Sequence, residues 1–140
     1  MYLRDLYMKY YDHVQFLTIY IREAHPVDGW WFGGGIMGLL MKLKRSKAAT
    51  DVYDPKTLDE RQAVANRYKV DLKYDISTYV DEMDDAVSKA YAAMPTRLYL
   101  IGLDGLVVYA GGLGPFGFKP MELESAIRKY LARLDNGTGK

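Results

Sequence analysis

The sequence predicts an α/β domain in which helices cover both faces of a mixed β-sheet, and three observations support this fold class. Runs typical of strands alternate with runs typical of helices along the 140 residues. The run at Val14–Ile21 is β-branched, aromatic and mostly apolar on both faces, as expected for a buried parallel strand. Asp104-Gly105 separates two apolar runs and is a strong signal for an antiparallel hairpin.

The chain begins with a predicted amphipathic helix over residues 1–13, where Leu3, Leu6 and Tyr10 recur at helical spacing without Pro or Gly. Met1 already lies inside this periodic pattern, so no capping residue precedes the helix. We therefore expect the domain to be incomplete at its N-terminus.

A long loop follows the first strand, because Pro26, Gly29 and three consecutive glycines at 33–35 interrupt any regular pattern. The next long helix has two possible starts. Asp54-Pro55 offers a capping Asp and a Pro suited to the first helical position, whereas Thr57-Leu58-Asp59-Glu60 offers a capping box.

The second half of the chain adds a strand, a helix, the hairpin and a final helix. The helix is capped by Asp81 and stops before Pro95, and Pro120 opens the last helix. The predicted ranges are 75–80 for the strand, 97–101 and 106–110 for the hairpin strands, and 120–134 for the last helix.

This order, with its closing hairpin and helix, is the back half of a thioredoxin-like fold. In that fold a cis proline facing the active site precedes the hairpin, which is the place of Met94-Pro95 here. An X-Pro bond can be cis at modest cost, and the sequence leaves its isomer open. We expect one domain over residues 1–134 and a flexible tail over 135–140.

Composition excludes several classes of function. The 19 basic and 18 acidic side chains give a net charge of +1, which argues against a protein that tracks nucleic-acid phosphates. The absence of Cys excludes disulfides, thiolate metal sites and a cysteine nucleophile within the chain, and two His argue against an imidazole metal site. No apolar run approaches the ~20 residues of a membrane span. We expect a cytoplasmic protein without a metal ion.

The candidate catalytic residues are Tyr20, Glu23 and His25, which end the first strand and begin the loop. At the carboxyl end of a parallel strand, side chains point into the crevice where α/β folds bind ligands. The three could relay a proton, since imidazole titrates near neutrality and a carboxylate can fix its tautomer. The alternative is that His25 caps a turn and Glu23 is solvated.

Further candidates would contact a substrate. Trp30 and Trp31 beside the glycines could line an apolar pocket or lid, or could anchor a long insertion. Arg97, close to Pro95, could bind an anionic group or pair with an acid. Residues 36–47 combine an apolar segment with four cations, which suits a membrane surface or, as we prefer, a solvated lid helix.

Two other patterns carry no chemistry. Gly112–Gly117 matches G-x-G-x-x-G but follows a hairpin strand and contains Pro115, so we reject it as a dinucleotide site. The acidic residues at 81–85 begin a helix, where carboxylates favour the helix dipole, and a solvated cap is preferred over a metal site.

Several segments together resemble the iodothyronine deiodinase family, especially its bacterial deiodinase-like members. The string Tyr-Ile-x-Glu-Ala-His-x-x-Asp-Gly-Trp at residues 20–30 is specific, and matching stretches continue at 80–85, 90–99 and 109–115. The resemblance runs over residues 1–134.

The resemblance implies a thioredoxin-like oxidoreductase that removes iodine reductively, with a selenocysteine or cysteine at the start of the fold. Tyr20, Glu23 and His25 would surround that nucleophile, with Glu23 and His25 moving protons. We expect substrate contacts at Trp30, Trp31, Pro95 and Arg97. A small aromatic or halogenated molecule would be the substrate and a thiol reductant the co-substrate, with no other cofactor.

The chain departs from the family at the nucleophile, because it has no Cys and Met1 falls inside the helix that follows the nucleophile turn. The first strand, which lies between the strand at 14–21 and the rest of the sheet, is missing with that turn. Its loss would leave two unpaired edges, which a neighbouring chain could fill in a homodimer. The alternative function is a redox-inactive, thioredoxin-like module that binds a protein partner or an aromatic ligand.

We expect a truncated, selenoprotein-related product, which arises when a selenocysteine codon is taken as a stop and translation is assigned from the next Met. Sequencing the gene upstream of Met1 tests this expectation. An in-frame coding region that contains such a codon is the expected result, and a non-coding or out-of-frame region would contradict it.

Overall fold

Helices and strands alternate in the computed structural model, which describes residues 3–23, 53–72 and 76–137. The loop through Gly35 and the helix or membrane-surface segment expected at 36–47 lie outside these ranges. The elements are α1 (Leu3–Tyr10), β1 (Leu17–Tyr20), α2 (Leu58–Leu72), β2 (Ser77–Val80), α3 (Ala86–Ala90), β3 (Tyr99–Ile101), β4 (Val107–Ala110) and α4 (Pro120–Gly137).

These elements belong to two compact units. The first unit joins Met1–Phe16 to Ala93–Lys140 and contains α1, the β3–β4 hairpin and α4. The second unit is Leu17–Ala92 and contains β1, α2, β2 and α3.

Both kinds of strand pairing that a mixed sheet requires are present within the described residues, as separate two-stranded sheets. β1 pairs in parallel with β2, from Leu17 opposite Ser77 to Tyr20 opposite Val80. β3 pairs antiparallel with β4. The expectation that a missing strand separates the strand at 14–21 from all others is wrong in one respect, because β2 lies directly beside β1.

β1 is shorter than the strand predicted at Val14–Ile21, because the residues at the start of the predicted range still bond to the last turn of α1. The amides of His13 and Val14 both donate to the carbonyl of Tyr10, at 2.9 and 2.8 Å. The strand is also less buried than its composition predicts, since Leu17 is 54% exposed.

The core of the first unit lies between α1, α4 and β3. The helical spacing of Leu and Ile on α4 places one stripe of this helix against the hairpin, as the sequence predicts. The buried members of the core are Leu6, Tyr10, Leu100, Leu123 and Ile127. The last helix begins at Pro120 as predicted and continues to Gly137, so residues 135–137 of the predicted tail are helical.

A capping box starts α2 in the second unit. The Thr57 hydroxyl accepts from the amide of Glu60 at 3.2 Å, and the Glu60 carboxylate accepts from the amide of Lys56 at 2.7 Å. The start at Thr57 is therefore confirmed, and the alternative start at Asp54-Pro55 is wrong, because the reciprocal hydrogen bonds satisfy amides that a helix start leaves without partners.

Asp81 caps α3 from outside the helix. Its carboxylate accepts from the amides of Val87 at 3.0 Å and Ser88 at 2.8 Å. The helix begins at Ala86, later than the sequence predicts, because the chain first makes a turn through Asp85, whose φ is 58°. Asp81 is only 2% exposed, so the interpretation of this residue as a solvated cap is wrong.

We predict that Asp81→Asn lowers the free energy of unfolding by about 1–3 kcal/mol, because one of the two α3 amides then loses a charged acceptor in a buried place. Urea denaturation of the variant and of the unchanged chain measures the difference. Asp12→Asn, at an exposed position, is the control and should change the value by less than about 0.5 kcal/mol. Equal losses in the two variants would contradict the capping role.

Candidate functional site

Two tyrosines meet one carboxylate at the carboxyl end of β1. The hydroxyl of Tyr20 donates to Oε2 of Glu23 at 3.1 Å, and the hydroxyl of Tyr68, on α2, donates to the same oxygen at 3.3 Å. The two rings stack with their centroids 5.8 Å apart and their planes inclined by 29°. We call these three residues the phenol–carboxylate cluster.

The backbone around the cluster is fixed by the parallel sheet. Tyr20 is the last residue of β1, and its carbonyl accepts from the amide of Asp81 at 2.9 Å, one residue beyond the end of β2. The chain leaves the strand at this point and brings Glu23 back to the Tyr20 hydroxyl. Because β1 and β2 run in parallel, both strands end at this edge of the sheet.

Tyr68 reaches the cluster from the buried side of α2. It lies one helical turn beyond Ala65, which is 2% exposed and marks the side of α2 that packs inward. The helix is also held by Arg61, whose guanidinium donates to the carbonyls of Asp81 at 3.2 Å and Glu82 at 2.6 Å and pairs with Asp85 at 2.9 Å.

The Tyr20 phenol stays protonated in this environment. Burial raises its pKa well above the ordinary value, and the charge and hydrogen bond of Glu23 raise it further, whereas the Arg61 guanidinium opposes the shift. The phenol's contribution to stability is therefore fully present below about pH 10 and is lost only as the pH rises through the raised pKa. Tyr20 acts as a hydrogen-bond donor near neutral pH.

The remaining described candidates, Pro95 and Arg97, lie in the first unit. The Met94-Pro95 bond is cis, which settles the isomer that the sequence leaves open. The Nε of Arg97 donates to the carbonyl of Gly111 at 2.6 Å, and its guanidinium lies 5.3 Å from the centroid of the Tyr99 ring. The sequence predicts an anionic group or an acidic side chain as the partner of Arg97. The contacts with the Gly111 carbonyl and the Tyr99 ring were not predicted.

The segment that contains Pro95 is held against the loop that follows β4. The amide of Gly111 donates to the Leu98 carbonyl at 2.8 Å, and the amide of Gly114 donates to the Thr96 carbonyl at 2.9 Å. A Cβ at position 114 would lie 2.3 Å from Cγ2 of Thr96, so any larger residue there would force the Thr96 side chain or the backbone to shift.

The structure therefore brings together two of the three predicted catalytic residues, Tyr20 and Glu23. His25, Trp30 and Trp31 lie outside the described residues. Tyr68 was missed as a site residue, because its spacing from Ala65 is typical of the buried face of a helix. The signal was its hydroxyl, since a buried tyrosine usually finds a hydrogen-bond partner.

A metal-ligand cluster and a membrane-spanning helix are both absent from the described residues. No group of three His, Cys, Asp or Glu side chains in these ranges could hold a metal ion. No helix in the part of the chain that the structure describes is long and apolar enough to cross a membrane.

The described residues have a mixed α/β fold with a polar cluster at the carboxyl end of a parallel strand. A family model described as iodothyronine deiodinase matches residues 2–133. The chain belongs to the iodothyronine deiodinase family.

Curated relatives support the same assignment. The chain is 35% identical over 133 residues to a thyroxine 5-deiodinase of Gallus gallus, with 95% of this chain and 46% of the relative covered. It is 35% identical over 114 residues to a type I iodothyronine deiodinase of Xenopus laevis, with 81% of this chain and 39% of the relative covered. The chain thus spans less than half the length of these relatives.

We predict that Glu23→Gln lowers the pKa of Tyr20, because the negative charge that disfavours the phenolate is removed. The ¹³Cζ resonance of Tyr20, followed by NMR through an alkaline titration, measures this change. Glu82→Gln removes an exposed carboxylate of the same unit and serves as the control. The contact would be refuted if both variants left the Tyr20 titration unchanged, or if both moved it equally.

Proposed function

We propose that this chain is the deiodinase-like, thioredoxin-fold part of an enzyme that reductively removes halogen from a small aromatic substrate. The observation that carries the proposal is the contact of Tyr20 with Glu23, because both residues lie in the string at 20–30 that resembles the family. The match to the family model over residues 2–133 supports it. No observation favours a redox-inactive binding module.

The reaction replaces a carbon–iodine bond by a carbon–hydrogen bond. Two thiols of a reductant supply the two electrons and become a disulfide, iodide leaves, one proton is delivered to the ring carbon, and the second proton is released to solvent. The chain has no Cys, so the selenolate or thiolate that attacks iodine is not among these 140 residues and belongs to the intact parent protein.

The cluster would supply proton transfer to this reaction. Because the pKa of Tyr20 is raised, its phenol is suited to orienting Glu23 by donation, and Glu23 with His25 would move the proton. The same division of roles between Glu23 and His25 is what the family resemblance implies.

The residues expected to contact the substrate stay proposals. The match to the family model supports the thioredoxin-like assignment, and Pro95 and Arg97 are two of the proposed contacts. Trp30 and Trp31 remain the proposed aromatic contacts. The thiol co-substrate, the homodimer, and the bacterial and cytoplasmic setting stay predictions.

We predict that the intact parent releases iodide from an iodinated phenol in the presence of dithiothreitol, and that Glu23→Gln lowers this rate about a hundredfold or more, because general acid–base catalysis contributes that much. Iodide release measured over time gives both rates.

Glu82→Gln in the parent is the matched control and should retain the rate, since this exposed side chain lies outside the cluster. The 140-residue chain by itself should release no iodide, because it lacks a thiolate. A parent that releases no iodide, or a Glu23→Gln parent at full rate, would overturn the proposed function.

A further inference from the structure

We infer that Tyr68 is a positioning residue for Glu23: its phenol fixes the carboxylate from α2 while Tyr20 fixes it from β1. The inference rests on the proposed function, in which Glu23 moves a proton. Tyr68 lies outside the segments that carry the family resemblance, and it enters the site only through the fold.

Two donors from different elements converge on one oxygen. Oε2 of Glu23 accepts from Tyr20 at 3.1 Å and from Tyr68 at 3.3 Å. A glutamate side chain turns about several bonds, and a single hydrogen bond still lets the carboxylate swing about the donor. Donors on a strand and on a helix leave one position that satisfies both, so the second phenol determines where the carboxylate lies.

Tyr68 also fixes the other donor. Its ring stacks on the Tyr20 ring with 5.8 Å between centroids, so the two phenols share an orientation as well as an acceptor. Both side chains are half-buried, which limits competition from water for the carboxylate.

The helix that carries Tyr68 is anchored close to the same strand ends. Arg61, about two helical turns before Tyr68 on α2, is 3% exposed and is held by the carbonyls of Asp81 and Glu82. The Arg61 anchor sets the position of α2 near the ends of β1 and β2, and the position of Tyr68 follows from it.

A phenylalanine at position 68 would keep the packing and remove only the hydroxyl. Tyr68→Phe therefore separates positioning from packing. Tyr79→Phe is the matched control, because Tyr79 lies on β2 of the same unit and is 60% exposed.

The first test is a double-mutant cycle on the 140-residue chain, with Tyr68→Phe, Glu23→Ala and the double variant. We expect Tyr68→Phe to raise the unfolding equilibrium constant about tenfold when Glu23 is present and less than about threefold when residue 23 is alanine. Tyr79→Phe should have the same small effect in both backgrounds. Equal effects of Tyr68→Phe in the two backgrounds would overturn the inference.

The second test reports on the carboxylate itself. NMR relaxation of the ¹³Cγ of Glu23 measures the order of this side chain, and we expect the order to fall in Tyr68→Phe and to remain unchanged in Tyr79→Phe. A packing role alone would leave the order of Glu23 unchanged, and that result would overturn the inference.

Kinetic measurements on the intact parent test the proposed function separately from the positioning of Glu23. In the intact parent, Tyr68→Phe should lower kcat about tenfold with KM unchanged, since positioning acts on the reaction step. If Glu23→Gln inactivates the parent but Tyr68→Phe leaves kcat unchanged, the role of Tyr68 in the reaction is overturned. A Glu23→Gln parent at full rate would refute the proposed function, while the relaxation of Glu23 would still decide whether Tyr68 positions it.

Discussion

A buried arginine and a buried aspartate hold the second unit together, and the geometry of the site depends on them. Arg61 and Asp81 are 3% and 2% exposed, and charged groups are stable in such places only when hydrogen bonds and opposite charges compensate them. Arg61 binds the carbonyls of the turn after β2 and the carboxylate of Asp85. The amide of Asp81 donates to the carbonyl of Tyr20 at the end of β1, and the Asp81 carboxylate accepts from two amides of α3.

The position of the phenol–carboxylate cluster follows from that network. The amide of Asp81 donates to the carbonyl of Tyr20, whose side chain donates to Glu23. Arg61 anchors α2, which carries the second donor, Tyr68. Burial and the Glu23 carboxylate raise the pKa of Tyr20 and keep its proton in place, so the phenol acts as a hydrogen-bond donor to this carboxylate. The cluster thus joins two phenol donors to one carboxylate oxygen.

Local signals in the sequence predicted much of this fold. The Asp104-Gly105 turn specified the hairpin because its Gly adopts a φ of 80°, and the capping box at Thr57–Glu60 specified the start of α2. The closeness of Tyr20 and Glu23 could be predicted because a strand end determines where its last side chains lie. These inferences use neighbouring residues only.

The rest depended on contacts between distant residues. Tyr68 lies 45 positions from Glu23 along the chain, and only the pairing of β1 with β2 and the anchoring of α2 bring them together. The run of acids at 81–85 resembles a solvated helix start, and only the structure shows that Asp81 within it is buried and accepts from two amides of α3. The cis state of Met94-Pro95 could not be predicted, because the two isomers of an X-Pro bond differ little in free energy.

A neutron diffraction structure of the deuterated chain at neutral pH tests the phenol–carboxylate cluster most directly, because it locates protons on oxygen atoms. We expect one deuteron on each of the Tyr20 and Tyr68 oxygens, both directed at Oε2 of a Glu23 carboxylate that carries none. A deuteron on the Glu23 carboxyl, or a Glu23 side chain directed away from the two phenols, would contradict it.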